Sequence, residues 1–197
     1  MPEFTCTRCE TTFSLAPALL DRFPGWVPKL CLACKNETGS VSKRKTSKPV
    51  SAPDPSSGVF TDGSAVPNPG PGGWGAVYVI DNEIVAEAYG YGGETTNNRM
   101  ELMALINAVD LVPVGTKSTV YSDSNLAVRT INEWAAGWER RGWKRKTGPV
   151  ENLDLVKEAY AAFRGRPELS LEWIRAHVGY RWNEYADELA NRGRMER

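Results

Sequence analysis

From Val59 onward, apolar and polar positions fall into short alternating runs interrupted by longer helical periods. VFTDGS reads as a short strand ending in a turn, which places Asp62 at the strand's end. Pro67, Pro69, Gly70, Pro71, Gly72 and Gly73 then form a dense loop. WGAVYVI and EIVAEAYGYG are β-rich runs separated by the turn pair Asp81-Asn82, the pattern of antiparallel neighbours. After Gly93 the period lengthens: Leu102, Leu105, Ile106 and Val109 fall at helical spacing behind Thr95 or Thr96 as cap, and Pro113 and Gly115 end the helix. STVYSD is the next strand, NLAVRTINEWAAGW and LDLVKEAYAAF are helices, and LSLEWIRAHV alternates as a strand. NEYADELANRG closes the pattern as a helix with Gly193 as its stop. Three strands, a helix, a strand, helices, a strand and a helix predict an α/β domain with a mixed sheet covered by helices.

Upstream of Val59 this texture disappears. ETGSVSKRKTSKPVSAPDPSSG holds almost no large apolar residue and reads as a flexible linker. The expected organisation is a small module over 1–36, a basic and Pro/Ser-rich linker over 37–58 and a main domain over 59–197. A chain of 197 residues accommodates one well-cored domain with a small appendage. A mean hydropathy of −0.41 and no apolar run near membrane length point to a soluble protein without a membrane partner. MPEFTCTRCE lacks a basic segment followed by an apolar one, so a cytoplasmic location is expected; a monomer is the default for its oligomeric state.

The formal net charge is zero, which at first argues against a nucleic-acid partner. Its distribution reverses that inference. Basic residues gather at Lys35, Lys43, Arg44, Lys45 and Lys48, and again at Arg140, Arg141, Lys144, Arg145 and Lys146. In the second cluster Trp138 and Trp143 interleave with the charges, a mixture suited to a phosphate backbone.

Cys6, Cys9, Cys31 and Cys34 are the only four cysteines, arranged as C-x2-C, 21 residues, C-x2-C. That spacing suits one tetrahedral structural Zn²⁺, with disulfides as the alternative reading. So small a segment buries little core, and a metal would hold it together.

Four acidic residues stand in apolar surroundings: Asp62, Glu101 in the first helix, Asp123 at the end of the fourth strand, and Asp187 in the last helix. Each alone also suits a turn or a cap. A carboxylate in apolar sequence is costly unless paired or bound to metal. If the first and fourth strands are neighbours, Asp62 and Asp123 emerge side by side, and Mg²⁺ or Mn²⁺ supplies the missing counter-charge. No serine elbow accompanies the sole histidine, His177, and the glycines near Gly70 carry no Lys-Ser/Thr and lead into a strand.

At these residues the chain resembles the type 1 ribonuclease H family, through FTDGSAVPNPGPGGWGAV, TTNNRMELMALINAV, VYSDSNLAVRTINEW, the basic tryptophan-bearing segment and AHVGYRWNEYADELA. These stretches cover nearly all of 59–194 in the family's order. The resemblance implies a five-stranded mixed sheet flanked by helices and an endonuclease that cuts the RNA strand of RNA·DNA hybrids. It places the family's metal-binding carboxylates on Asp62, Glu101, Asp123 and Asp187. Asp62 would bridge two ions, Asp187 would help hold the water-side ion, and Glu101 with Asp123 would hold the leaving-group ion. In-line attack by water would leave 5′-phosphate and 3′-hydroxyl ends. His177 matches the family's loop histidine, an auxiliary to proton movement or product departure.

The same resemblance puts Asn68, Asn98 and Asn125 at positions that read the hybrid's minor groove; the commoner residue at 125 is a longer glutamine. Thr96 and Trp134 match the pocket for a DNA-strand phosphate. Trp138, Arg140, Arg141, Trp143, Lys144 and Lys146 match the basic protrusion of some bacterial members. Val156 replaces an aromatic of a well-known branch, which implies a repacked core there. FTCTRCETTFSL and GWVPKLCLACK look like a small bacterial zinc ribbon, whose ligand would be nucleic acid or a protein. Two competing readings stand beside the hybrid nuclease: another nuclease or integrase on the same fold, and a nucleic-acid-binding adaptor with vestigial carboxylates.

Overall fold

The computed structural model describes residues 3–7, 9–14, 54–176 and 178–196. The chain divides into two compact units, Met1–Ser51 and Ala52–Arg197. In the first, β1 (Glu3–Thr5) pairs antiparallel with β2 (Thr12–Ser14). Cys6 follows β1 directly. Its N–H donates to the Thr11 carbonyl and its own carbonyl accepts from Glu10, which closes a turn that carries Cys6 and Cys9. Cys31, Cys34 and the basic stretch Lys35 to Lys48 lie outside the described residues.

The second unit is built on β3 (Gly58–Ala65), β4 (Gly70–Ile80), β5 (Glu83–Thr95), β6 (Ser118–Ser122) and β9 (Leu169–Trp173). The sheet order is β5-β4-β3-β6-β9, with β3–β4 and β4–β5 antiparallel and β3–β6 and β6–β9 parallel. The helices are α1 (Asn97–Leu111), α2 (Asn125–Arg129), a π-helical stretch over Thr130–Trp134, α3 (Ala135–Arg140), α4 (Leu153–Arg164) and α5 (Arg181–Met195). Between α3 and α4 lies a small hairpin, β7 (Lys144–Arg145) with β8 (Gly148–Pro149). This is the expected five-stranded mixed sheet flanked by helices.

Strand alternation sorts the core between the two faces of the sheet. Val59, Tyr78, Val120 and Leu171 join Leu102, Leu105, Val109 and Val156 in one apolar cluster. Phe60, Val77 and Val79 join Trp182, Ala186 and Leu189 of α5 in the other. Because β3 is covered on both sides, its residues are buried almost without interruption, including Thr61 and Asp62.

Several local expectations shift. β3 does not stop at Asp62 but runs on to Ala65, so the carboxylate sits mid-strand opposite Gly75 of β4. The dense loop shortens to a turn ending at Gly70, where β4 already begins. Strand β9 ends at Trp173, well short of the alternating run read for it. Asp81 and Asn82 do form the β4–β5 turn, both at positive φ, and Thr96 is the cap of α1, its hydroxyl accepting from the Arg99 N–H. Gly193 does not stop α5, which continues to Met195. A Cβ at Gly193 would stand 2.6 Å from the Gly90 carbonyl oxygen, so this glycine lets helix and strand touch.

Candidate active site

Asp62 comes from the centre of the sheet, Asp123 from the loop leaving β6 beside it, Glu101 from the second turn of α1 and Asp187 from the middle of α5. The parallel pairing of β3 with β6 is what brings the first two together. Gly63 brings the third: a Cβ there would collide with the Glu101 backbone, so α1 presses on β3 where no side chain intervenes. Carboxylate oxygens of Asp62, Glu101 and Asp123 all lie within 4.8 Å of one another. Asp187 stands near enough for its charge to act on Asp62. All four line one open cleft of about 340 Å³ together with Asn97, Ser124 and Asn183.

So much negative charge in so little water has a clear electrostatic signature. Burial, then the charges of Asp123 and Asp187, push the Asp62 carboxyl up to about 8, against a hydrogen bond from Gly63 that pulls it down. Burial, followed by Asp62 and Asp123, raises Glu101 well above the usual carboxylate range. Among the described residues no Lys or Arg lines the cleft. Glu101 Oε2 is buried and has no hydrogen-bond partner. An all-oxygen donor set with an orphaned carboxylate oxygen fits a hard divalent cation, which would supply the counter-charge that the protein does not.

The ligand candidates are held by residues that the sequence reading passed over. Asn183 Nδ2 donates to Asp123 Oδ2 at 3.0 Å, and the indole N–H of Trp173 donates to the Asp123 carbonyl at 3.0 Å. On α5, Asn191 Nδ2 donates to Asp187 Oδ1 at 3.0 Å and to the Asp187 carbonyl. A signal was present: Asn183, Asp187 and Asn191 recur every four residues, a polar stripe along one face of the closing helix.

The expected substrate contacts divide. Asn98, Trp134 and Trp138 line one cleft of about 90 Å³, with Ser124, Thr130 and Asn152, the last at φ 51 with its side chain making no cap bond. Thr96 is not part of that lining; it caps α1, and Asn68 Oδ1 accepts from the Asn97 N–H at the same helix end. Asn125 opens α2 and is exposed. Arg140, Arg141, Lys144 and Lys146 are exposed along α3 and the β7–β8 hairpin. Trp138 and Trp143 are half-buried and packed on the core, Trp143 edge-on to Tyr160 at 6.1 Å, so the indoles anchor the arm that carries the charges. Arg145 is drawn into an ion pair with Glu151. Trp134 lies 5.9 Å from Trp138, with Arg129 over its ring. His177 lies outside the described residues.

The RNase H family model matches residues 54–195, the whole of the sheet and its helices. The chain belongs to the RNase H family. Its relatives include the ribonuclease H of Hahella chejuensis, 44% identical over 139 residues, which span 70% of this chain and 93% of that protein. The ribonuclease H of Methylorubrum extorquens is 44% identical over 138 residues, and the match spans 60% of its length. Among solved structures, LC11-RNase H1 in complex with an RNA/DNA hybrid superposes at TM-score 0.55 and 29% identity, covering 68% of this chain and 93% of that one. The RNase H assignment thus rests on the same stretch that holds all four carboxylates.

Proposed function

We propose that this RNase H-family protein is an endonuclease that hydrolyses the RNA strand of RNA·DNA hybrids with two divalent cations, Mg²⁺ or Mn²⁺. The observation that carries it is the convergence of carboxylate oxygens of Asp62, Glu101 and Asp123 to within 4.8 Å of one another. Asp62 feels the charges of both Asp123 and Asp187, and Glu101 feels that of Asp62, so Asp62 would be the ligand shared by the two ions. Asp187 would help hold the ion that activates water, and Glu101 with Asp123 would help hold the ion at the leaving group. When bound, the cations supply charge neutralisation at the phosphoryl oxygens and acidify the attacking water, leaving 5′-phosphate and 3′-hydroxyl ends. His177 assists the proton transfers.

Hybrid selection is assigned to Asn68, Asn98 and Asn125 in the minor groove, and to Thr96 and Trp134 beside a DNA-strand phosphate. The exposed Arg140, Arg141, Lys144 and Lys146 grip the backbone, with Trp138 and Trp143 setting their position. A relative crystallised with an RNA/DNA hybrid supports this reading of the substrate. Cys6, Cys9, Cys31 and Cys34 hold one structural Zn²⁺ in a module over 1–36, joined by the linker 37–58 to the nuclease over 59–197. The β1–β2 hairpin with Cys6 and Cys9 in its turn supports that arrangement. No helix among the described residues is long and apolar enough to cross a membrane. A cytoplasmic monomer is the working assignment.

The test is cleavage of end-labelled hybrid beside double-stranded RNA, double-stranded DNA and single-stranded RNA, with Mg²⁺ or Mn²⁺. Cutting confined to the hybrid's RNA strand, and lost in Asp123→Asn, is the expected result. Well-folded protein that cuts nothing with either metal would favour the adaptor reading, and cutting of duplex DNA another nuclease of the same fold.

A further inference from the structure

Asp123 is the carboxylate with the least backbone support, because it follows the last residue of β6 instead of lying within a strand or helix. Its orientation depends on neighbours. One carboxylate oxygen, Oδ2, accepts a 3.0 Å hydrogen bond from Asn183 Nδ2. Asn183 is only 4% exposed, buried in the first turn of α5, and lines the carboxylate cleft. Its other polar atom, Oδ1, is buried with no hydrogen-bond partner. A carboxylate can only accept, so the amide must present its NH₂ to Asp123, and the carbonyl is left over. An amide buried with half of its capacity unused is costly for a side chain whose role is folding alone.

We propose that Asn183 is a positioning residue for metal binding: by occupying Oδ2 it turns Oδ1 of Asp123 toward Asp62 and Glu101. This inference rests on the metal-dependent nuclease reading. The geometry is one in which α5 contributes to both sides of the site, Asp187 directly and Asn183 through Asp123, four residues apart on one helical face. An outer partner of this kind orders the ligand before the cation arrives, so its removal lowers metal affinity more than it lowers substrate affinity.

The experiment uses the full-length chain and the variants Asn183→Ala and Asn183→Leu, the second keeping the side-chain volume. Mn²⁺ binding is followed by the electron paramagnetic resonance signal of the free ion, fold by thermal unfolding, and cleavage of RNA·DNA hybrid by steady-state kinetics. The expected result is Mn²⁺ binding weakened by about tenfold or more. The Mn²⁺ concentration for half-maximal cleavage should rise by the same factor, with KM for the hybrid within about twofold of the parent. Folded Ala or Leu variant with parental Mn²⁺ affinity would overturn the proposal, even if its unfolding temperature fell. Parental protein that neither binds Mn²⁺ nor cuts hybrid would instead overturn the nuclease reading, and this inference with it.

Discussion

Asp62 shows at the scale of one residue how the fold stores the cost of the site. Its folded value of about 8 lies above the ordinary 3.8, so the folded protein holds this proton more tightly than the unfolded chain does. Stability is therefore greatest while the group is protonated and declines as pH rises from about 4 toward about 8. Glu101 is shifted in the same direction and adds to the decline. Burial is the larger cause and the neighbouring carboxylates the second, and a divalent cation bound at the cluster would offset both. Without metal, the unfolding temperature should fall between about pH 5 and pH 8, and millimolar Mg²⁺ should raise it more at the upper end; calorimetry at the two pH values checks this. Equal metal-induced shifts at both would mean the cation does not bind the ionised cluster. Gly63 is the complementary case. Gly63→Ala should force α1 away from β3 and cost about 1–3 kcal/mol on denaturant unfolding, with loss of metal binding, since the collision is with backbone that has no alternative rotamer.

At the scale of elements, α5 and the arm after α2 behave differently. Helix α5 lies against β4 along Gly73 and Gly75, and its own Gly193 lies against the Gly90 backbone of β5, contacts so close that a side chain at Gly73, Gly75 or Gly193 would separate them. This seam sets the depth of Asp187 and Asn183 in the cleft, and it explains why Gly193 sits inside a helix that a composition-based reading would end there. The arm formed by α3 and the β7–β8 hairpin is anchored by buried indole surface while its cations remain in water. Charges placed this way suit the encounter with a polyanion more than chemistry at a phosphate. The double variant Lys144→Ala, Lys146→Ala should raise KM for the hybrid several-fold, leave kcat nearly unchanged and lower the salt dependence of binding by roughly one to two units of slope. A drop in kcat at unchanged KM would place the arm in the chemistry instead.

At the scale of the molecule, the chemistry sits in the residues matched by the RNase H family model, and the cysteines lie outside that match. Cys31→Ser in the full chain should lower bound zinc from about one equivalent to none, measured by atomic absorption on dialysed protein, while cleavage of a short hybrid persists. Loss of hybrid affinity with retained turnover would make the N-terminal module a targeting device. Loss of turnover would show that the two units share the work.

Local pattern alone was enough for the order of strands and helices, the Asp81-Asn82 turn and a threonine cap at 95 or 96, because each depends on residues within a turn or two of chain. Tertiary structure decided what local pattern does not carry. That β3 pairs in parallel with β6, so that Asp62 and Asp123 meet, is a contact across about sixty positions of sequence. Asp62 stands mid-strand because α1 and α5 cover both faces of β3, and Glu101 reaches it because Gly63 leaves room for backbone against backbone. Asn183 and Asn191 looked like ordinary helix polars until the seam of glycines brought α5 down onto the sheet. Side-chain identity supplies the chemistry; long-range packing, which no short window of sequence encodes, sets the distances at which that chemistry operates.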